Sequence, residues 1–236
     1  MKAIDIIAKT GLIGIHIKSV EPSFHKHHAI QITLGLSKKV ILECNQEKIS
    51  SEVVIIDSGI MHSIETQECI ILLVEPESKL GQSLRENILN DQKIIQINSD
   101  FEINTLSDAI KIWDIPDENL RRRLDPRIIE VLDFIDQIAE SFQWGSLTLG
   151  EASEWVNLSP DRFRHLFKQQ MGITWRRYIL WRRLLAGLQL SFKMLTLTEA
   201  ATHSGFSDAA HFSRTCREMF GITPSEITQN SRFIQD

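Results

Sequence analysis

Four polar side chains near the start of the chain have the types and spacing of a ligand-binding group. His25, His27 and Gln31 would lie on one face of a β-strand, and His62 follows later as the end of a GxxH segment. Imidazole nitrogens, together with a carboxylate or carbonyl oxygen, suit divalent Fe, Mn or Zn. Three interpretations stay open: histidines hydrogen-bonded within the fold, a small-molecule pocket, or a bound metal.

The sequence contains no recognisable catalytic set. It has no GxSxG segment, no glycine-rich phosphate loop and no HExxH helix, and its Ser, His and Asp residues stand in no context that singles them out. We therefore predict that the chain is not an enzyme, and we assign it no cofactor and no metal ligand.

Basic side chains form a second candidate group in the C-terminal half. Between Arg162 and Arg183 there are seven Lys or Arg residues and no Asp or Glu. Side chains of this reach can meet base edges and phosphates in the major groove of DNA. Each neutralised phosphate would add salt-dependent affinity. An ordinary solvated helix face would also explain these basic residues. The secondary-structure elements that carry them therefore decide between DNA binding and simple solvation.

The stretch from Leu147 to Ile227 contains one pattern twice. Thr148, Leu149, Glu151 and Ser159 recur 48 positions later, and Phe163, Gly172, Ile173 and Thr174 recur 49 positions later. Each copy predicts a short supporting helix, a tight turn and a second amphipathic helix, which is a helix-turn-helix unit.

The helix boundaries follow from capping residues. We predict a first helix over 127–142 after an Asp125-Pro126 start, supporting helices over 149–156 and 197–203, and a connecting helix over 175–190. Ser159 and Ser207 are predicted to cap the two reading helices. Gly172 is predicted to end the first of these helices, and Gly205 to supply the turn before the second.

The N-terminal half is β-like. Residues 30–36 alternate between apolar and polar types, and the runs 40–42, 53–56 and 70–74 are short and rich in β-branched residues. Such spacing favours a sandwich or a small barrel. Residues 79–113 are predicted to hold two helices around an extended QKIIQI segment. A linker is predicted over 119–126, between a first domain at 1–118 and a second at 127–236.

Composition limits the class of protein. The chain has 236 residues, 42% of them hydrophobic, and a formal net charge of −5. Lys and Arg number 11 against 18 Asp and Glu up to residue 119, but 15 against 13 after it, which permits a local basic face. Three cysteines at no metal spacing fit a reducing compartment, and no apolar run is long enough to span a bilayer. We expect a cytoplasmic protein without membrane contact.

Residues 127–230 resemble the DNA-binding domain of the AraC/XylS family of bacterial transcription regulators. The resemblance is carried by LSPDRFRHLFKQQMGITWRRYI, WRRLLAGLQL and EAATHSGFSDAAHFSRTCREMFGITPSEI. It implies base-reading positions at Asp161, Arg164 and His165 in the first unit and at Ala209, Ala210, Ser213 and Arg214 in the second. With flanking cations, the predicted DNA-binding set is Asp161, Arg162, Arg164, His165, Lys168, Arg176, Arg177, Ala209, Ala210, Ser213, Arg214 and Arg217.

The chain departs from the family pattern at three positions. Trp175 stands where the family often has proline, Ser153 where alanine is usual, and Cys216 where a large aromatic residue is usual. Ala209 and Ala210 are poor hydrogen bonders. We therefore expect the second unit to contribute more phosphate contact than sequence reading.

The HxHx3Q and GxxH segments resemble the cupin barrel, whose enzymes hold Fe, Mn or Zn with such residues. Gln31 replaces the usual Glu, and Asp57 stands where proline is common. Without a carboxylate a divalent cation is held less tightly, so we predict well below one equivalent of metal in the purified protein. The AraC-type resemblance instead implies a sensor pocket, with His25, His27, Gln31 and His62 as its effector-binding residues.

The sequence thus predicts an α+β chain: an N-terminal cupin-like β-barrel, a helical extension that could serve in dimerisation, and an all-α DNA-binding domain with two helix-turn-helix units. The predicted function is a regulator that binds double-stranded DNA, responds to a small-molecule effector, forms a homodimer and contacts RNA polymerase. The alternatives are a metal-dependent cupin enzyme fused to a DNA-binding domain, and a structural partner protein that has lost DNA binding.

Overall fold

The structure is a computed structural model. It describes residues 3–9, 11–98, 103–113, 124–142, 144, 147–192, 195–220, 223–228 and 232–233. Most of the predicted linker over 119–126, including Arg121, Arg122 and Arg123, lies outside the described residues. So do Gly221 and Ile222 of the second repeat.

The N-terminal half is built mainly from β-strands, as its alternating and β-branched segments predict. The strands are β1 (Ala3–Lys9), β2 (Leu12–Ile17), β3 (Ile30–Gly35), β4 (Val40–Cys44), β5 (Glu47–Ser51), β6 (Val53–Ile56), β7 (Ser63–Glu65), β8 (Cys69–Val74) and β9 (Ile94–Ile97). Helix α1 (Lys79–Leu84) runs into a π-helical turn at Arg85–Leu89, and α2 (Leu106–Trp113) follows β9. The predicted two helices around an extended segment are confirmed.

The strands form two sheets. One has seven strands in the order β10-β1-β2-β8-β3-β6-β9, where β10 is Arg232–Phe233, and the other has three in the order β5-β4-β7. All pairs are antiparallel except β1 with β10. No closed barrel forms among the described strands, so the cupin-like barrel stays a prediction.

Both faces of the large sheet are buried, which is why β3 is buried at every position from Ile30 to Leu34. Ile30, Ile32 and Leu34 share a core with α2, through Leu106 and Trp113. On the other face, the core joins strands β4, β6 and β7 through Val40, Leu42, Val54, Ile56 and Ile64. Gln31 pairs with Ile56 in register and therefore lies on this second face.

The C-terminal half is helical, as predicted. Its helices are α3 (Pro126–Ser141), α4 (Leu149–Trp155), α5 (Pro160–Met171), α6 (Trp175–Phe192), α7 (Leu197–His203), α8 (Ala209–Phe220) and α9 (Pro224–Thr228). Asp125 caps α3 by accepting a hydrogen bond from the Arg127 backbone N–H. The apolar faces of α3, α5 and α6 meet in one core that includes Ile128, Phe163 and Tyr178.

The chain divides into two compact units. One is Arg121–Thr215, and the other combines Met1–Leu120 with Cys216–Asp236. The final residues group with the N-terminal half because β10 pairs with β1. The predicted limits of the DNA-binding domain, 127–236, include this returning segment and stay a prediction. No helix in the described part of the chain is both long and apolar enough to cross a membrane.

Candidate functional sites

Helix α5 begins as its sequence predicts. The hydroxyl of Ser159 accepts a hydrogen bond from the Arg162 backbone N–H, and Pro160 occupies the first helical position. Gly172 ends the helix in the left-handed conformation, with φ of +67°. Because a proline begins the helix and a glycine ends it, local sequence alone determines both of its limits.

Helix α8 begins one residue later than the repeat predicts, and Ser207 is not its cap. The carboxylate of Asp208 accepts the His211 backbone N–H at 2.6 Å, whereas the Ser207 hydroxyl bonds to the Asp208 carboxylate. The His211 N–H is also the first cause of the lowered pKa of Asp208. This correction explains the repeat: the two caps, Ser159 and Asp208, are 49 positions apart, so the extra residue of the second unit lies in the turn between Gly205 and Asp208. The Ser207-Asp208 pair, two capping residue types in a row, was the available signal.

The two helix-turn-helix units share their remaining local chemistry. Asn157 and Gly205, 48 positions apart, both take a positive φ in the turn, at +54° and +81°. The supporting helices α4 and α7 each begin with a capping box, formed by Thr148 with Glu151 in one and by Thr196 with Glu199 in the other. Because these contacts are local, they make the two units alike without reference to the rest of the fold.

The predicted DNA-binding side chains of the first unit lie on open surface. Asp161, Arg162, Arg164, His165 and Lys168 on α5 are all exposed, while Phe163 and Phe167 face the core. Asp161 and Arg164 form an ion pair at 2.7 Å. On α6, the predicted phosphate contacts Arg176 and Arg177 are exposed as well.

The second unit presents a different surface. Ala210, Arg214 and Arg217 on α8 are exposed, and Ala209 and Ser213 are partly exposed. Arg217 lies 3.5 Å from Glu226, a carboxylate with which it can pair.

Two of the seven cations between Arg162 and Arg183 serve the core instead of the surface. Arg182 is buried, donates to the Asp136 carboxylate at 2.7 Å and to the Tyr178 hydroxyl at 3.0 Å. Arg183 donates to the carbonyl oxygens of Gly205 and Trp144, and its partial burial lowers its pKa. The basic segment is therefore not one continuous solvated face.

The four predicted effector-binding residues converge, although not on one strand. His25 and His27 precede β3, and His25 is joined to His62 by a pair of backbone hydrogen bonds of 2.9 and 3.0 Å. The expectation that His25, His27 and Gln31 share a strand face is wrong, because the regular strand begins only at Ile30. The cross-chain bridge brings them together instead.

The histidine cluster, His25, His27 and His62, has a defined hydrogen-bond pattern. The three Nδ1 atoms lie 2.8–2.9 Å from the backbone carbonyl oxygens of Ser23, Ala29 and Ile60, respectively. The Nε2 atoms of His27 and His62 lie 2.8 and 3.3 Å from Gln31 Oε1. Gln31 in turn donates its amide N–H to the Thr33 hydroxyl at 3.0 Å.

Burial keeps these imidazoles neutral. Desolvation is the main cause that lowers the pKa of His27 to about 3 and of His62 to about 4, and it also lowers the pKa of His25. Mutual repulsion between the cationic forms adds to the shifts at His27 and His62. A neutral imidazole is the form that hydrogen-bonds through one lone pair and binds metal. The neighbouring His28 does not join the cluster and instead contacts Glu77 at 2.7 Å.

An apolar cavity adjoins the cluster. His25 and Gln31 contribute the polar part of its wall, and the rest includes Ile15, Ile17, Val20, Ile64, Ile71 and Leu73. Ile15 pairs with Ile71, and Gln31 with Leu73, so these residues share one face of the large sheet. The cavity thus presents an apolar wall with polar side chains at one end, beside the histidines.

Comparisons with known proteins bear mainly on the helical half. A family model described as a helix-turn-helix domain matches residues 153–230. The arabinose operon regulatory protein of Escherichia coli (strain K12) is 32% identical over 115 residues, which cover 47% of this chain and 37% of that protein. The probable transcriptional regulator LumQ of Photobacterium leiognathi is 33% identical over 104 residues, covering 43% and 42%. The chain thus matches about two fifths of the length of these curated relatives.

Residues 153–230 are an AraC-type domain. The resemblance drawn from the sequence motifs is thereby confirmed for this domain. Its relatives are transcriptional regulators.

A solved structure extends the likeness beyond the AraC-type domain. The crystal structure of ToxT from Vibrio cholerae O395 aligns with 92% of this chain and 97% of its own, with a TM-score of 0.55 and 12% sequence identity. At this identity the likeness concerns the fold alone. It supports the predicted order of a β-rich N-terminal region followed by a helical C-terminal domain.

The three departures from the AraC-type pattern have structural explanations. Trp175 fills the core, with its ring centroid 5.2 Å from those of Phe163 and Phe167. Ser153 is fully buried, and its hydroxyl donates to the Gly150 carbonyl oxygen. Cys216 is also fully buried, and burial raises the pKa of its thiol.

Proposed function

We propose that this chain is a transcription regulator that binds specific DNA through α5 and α8 and responds to a small molecule in its β-domain. One observation supports DNA binding. Helices α5 and α8 have twelve residues each, and each follows a supporting helix and a turn. Each also carries exposed polar residues opposite a buried aromatic face. Such a helix fits the major groove, and two of them can read two segments of one site.

The two reading helices are proposed to make different contacts with DNA. On α5, Arg164 can form two hydrogen bonds to guanine, and His165 and Lys168 lie on the same open surface. On α8, the first helical residues Ala209 and Ala210 offer no side-chain hydrogen bond, so Arg214 and Arg217 supply mainly phosphate contact. Sequence discrimination is therefore proposed to lie mostly in the first unit.

Arg164→Ala tests this function. We expect the variant to bind its selected DNA site about 5- to 150-fold more weakly, on the order of 1–3 kcal/mol, because a base contact is lost. The site is first obtained by rounds of selection from random duplexes. Affinity for it and for unrelated DNA is then measured by fluorescence anisotropy.

Arg176→Ala is the matched control, since Arg176 is equally an exposed arginine but is proposed to contact phosphate. This variant should weaken binding to all duplexes alike and reduce the slope of log affinity against log salt by about 1. Unchanged binding of the selected site by Arg164→Ala would show that α5 is not the reading helix. Absence of salt-sensitive DNA binding would favour the structural-partner alternative.

We propose that the effector is an apolar molecule with a polar end, bound in the cavity beside His25 and Gln31. The apolar lining of Ile15, Ile17, Ile71 and Leu73 supports the apolar part, and the two polar side chains support the other end. A ToxT structure of the same fold is described as bound to an unsaturated fatty acid, which is consistent with this class.

An unsaturated fatty acid, oleate, serves as the probe, and an alkene of equal chain length without the carboxylate is its control. We expect oleate to raise the melting temperature and to change the affinity for the selected DNA, because a ligand of the folded state stabilises it. Either His25→Ala or His62→Ala should reduce this response while DNA binding without oleate persists. An equal response to the neutral alkene would contradict the proposed polar end.

The remaining parts of the proposal concern the setting in which the chain acts. We place it in the cytoplasm with its DNA, as a homodimer that contacts RNA polymerase at a promoter, and as a binding protein without catalytic activity. The names of the regulators that it resembles support a regulatory role at DNA. The domain limits 1–118 and 127–236, joined by a linker over 119–126, belong to the same proposal.

A further inference from the structure

Arg183 lies between the two helix-turn-helix units, on the helix α6 that joins them. We propose that Arg183 is a positioning residue: its guanidinium group holds the second unit in place relative to the first and so sets the spacing between the DNA segments that α5 and α8 read. The statement about DNA spacing rests on the proposed function, whereas the positioning itself concerns the folded chain alone.

The guanidinium group contacts the backbone of two separate segments. Its Nη1 atom donates to the Gly205 carbonyl oxygen at 3.3 Å, in the turn of the second unit. Its Nη2 atom donates to the Trp144 carbonyl oxygen at 3.2 Å, in the segment that precedes the first unit. One side chain therefore connects the beginning of the first unit with the turn of the second.

Both contact points are anchored within their own unit. The Trp144 side chain is buried in the core that also contains Phe163 and Phe167 of the first unit. Gly205 follows α7 directly, and its N–H donates to the Thr202 carbonyl oxygen at 3.1 Å. A hydrogen bond to either carbonyl therefore restrains a whole helical unit and not only one loop residue.

The second unit packs closely against α6 around this contact. A Cβ atom at residue 205 would lie 3.0 Å from Arg183 Nε, so glycine leaves room for the guanidinium group as well as taking a positive φ. One helical turn later, a Cβ atom at Gly187 would meet a Phe212 ring carbon at 2.7 Å and Ser204 Oγ at 2.8 Å. Arg183 and Gly187 thus share the face of α6 that the second unit contacts.

Arginine suits this contact because its planar guanidinium group presents several N–H donors in a rigid fork. Among the residues that the structure describes, Arg183 forms no ion pair, whereas the adjacent Arg182 pairs with Asp136 on α3. The two arginines therefore act on different parts of the domain. Arg182 joins α6 to α3, and Arg183 joins the second unit to the first.

A fixed separation of the two units should limit the DNA sites that the chain accepts. The major groove faces the same side of the duplex again only after about 10–10.5 base pairs. Adding or removing one base pair turns the second segment by about 35° around the DNA axis, away from its reading helix. A fixed second unit therefore penalises altered spacing, and a loosened one tolerates it.

The first test uses the full chain and the site selected from random duplexes, with one or two base pairs inserted or deleted between the segments that the two helices read. We expect the unsubstituted chain to bind the altered duplexes at least about tenfold more weakly than the selected one, measured by fluorescence anisotropy. In Arg183→Met, which loses all the donors but keeps a long side chain, this penalty should shrink to below about threefold, because the second unit can follow the displaced groove.

Arg177→Met is the matched control, because it removes an exposed arginine of the same helix that is proposed to contact phosphate. It should weaken binding to every duplex by a similar factor and leave the spacing penalty unchanged. Arg183→Lys keeps the charge without the fork and should show an intermediate penalty, which decides the matter if Arg183→Met does not fold. An undiminished penalty in either Arg183 variant would overturn the proposal.

A second measurement needs no DNA. Spin labels are attached to the exposed positions of Glu154→Cys in the first unit and Thr198→Cys in the second, since all three native cysteines are buried. Pulsed electron paramagnetic resonance should give a narrow distance distribution in the otherwise unsubstituted chain and a broader one once Arg183→Met or Arg183→Lys is added. Equal widths would overturn the positioning role. A broadened distribution in a chain without sequence-specific DNA binding would support positioning and contradict the proposed function.

Discussion

Replacing Arg182 with alanine should lower the free energy of unfolding by about 3–5 kcal/mol, because it leaves one partner of a buried ion pair without its countercharge. The side chains of Arg182 and Asp136 are 9% and 18% exposed, and their 2.7 Å contact joins α6 to α3. The variant also loses the hydrogen bond to the Tyr178 hydroxyl. Urea unfolding followed by circular dichroism at pH 7 measures the change.

Arg177→Ala is the matched control on the same helix, since the Arg177 side chain is exposed and is proposed to contact DNA phosphate. Its unfolding free energy should change by no more than about 0.5 kcal/mol, while its DNA affinity falls. Equal stability of the Arg182 and Arg177 variants would contradict the assignment of Arg182 to the core. Arg182→Met tests the role of charge, because it restores part of the lost packing volume.

Trp175→Ala should cost about 3–5 kcal/mol of unfolding free energy, because it removes a large buried ring and leaves a cavity. Trp175 is 6% exposed, and its edge-to-face contacts with Phe163 and Phe167 link the start of α6 to the reading helix α5. Loss of these contacts should also weaken DNA binding, since α5 is no longer held in place. Thermal and urea unfolding give the stability change.

Trp155→Ala controls for the loss of an indole as such. Trp155 is 50% exposed, stacks on Phe134 at 4.2 Å and donates to Glu130. Because this aromatic contact lies at the surface, its removal should cost below about 1.5 kcal/mol. A cost as large as that of Trp175→Ala would mean that burial does not distinguish the two sites.

Features whose causes lie within a few residues could be predicted from the sequence alone. The limits of α4, α5 and α7 follow from capping residues and glycines that act on the adjacent turn. The apolar spacing of Phe163 and Phe167 likewise fixed which face of α5 is buried. The strands of the N-terminal half were predictable for the same reason, because alternation and β-branching are local signals.

The start of α8 shows the limit of local reasoning. Ser207 and Asp208 are both good capping residues, and the repeat favoured the first. Which of them accepts the His211 N–H depends on where the chain enters the helix, and the structure assigns that contact to Asp208.

Long-range packing determines which arginines are exposed and how the histidines meet. Arg182 and Arg176 look alike in the sequence, and burial opposite Asp136, 46 positions away, separates them. His62 reaches His25 because a backbone bridge joins segments 37 positions apart. Both contacts join segments from distant parts of the chain, where no spacing rule applies. The Arg182–Asp136 pair therefore became visible only in the folded protein, whereas the three histidines were grouped from the sequence and only the backbone bridge between them was not.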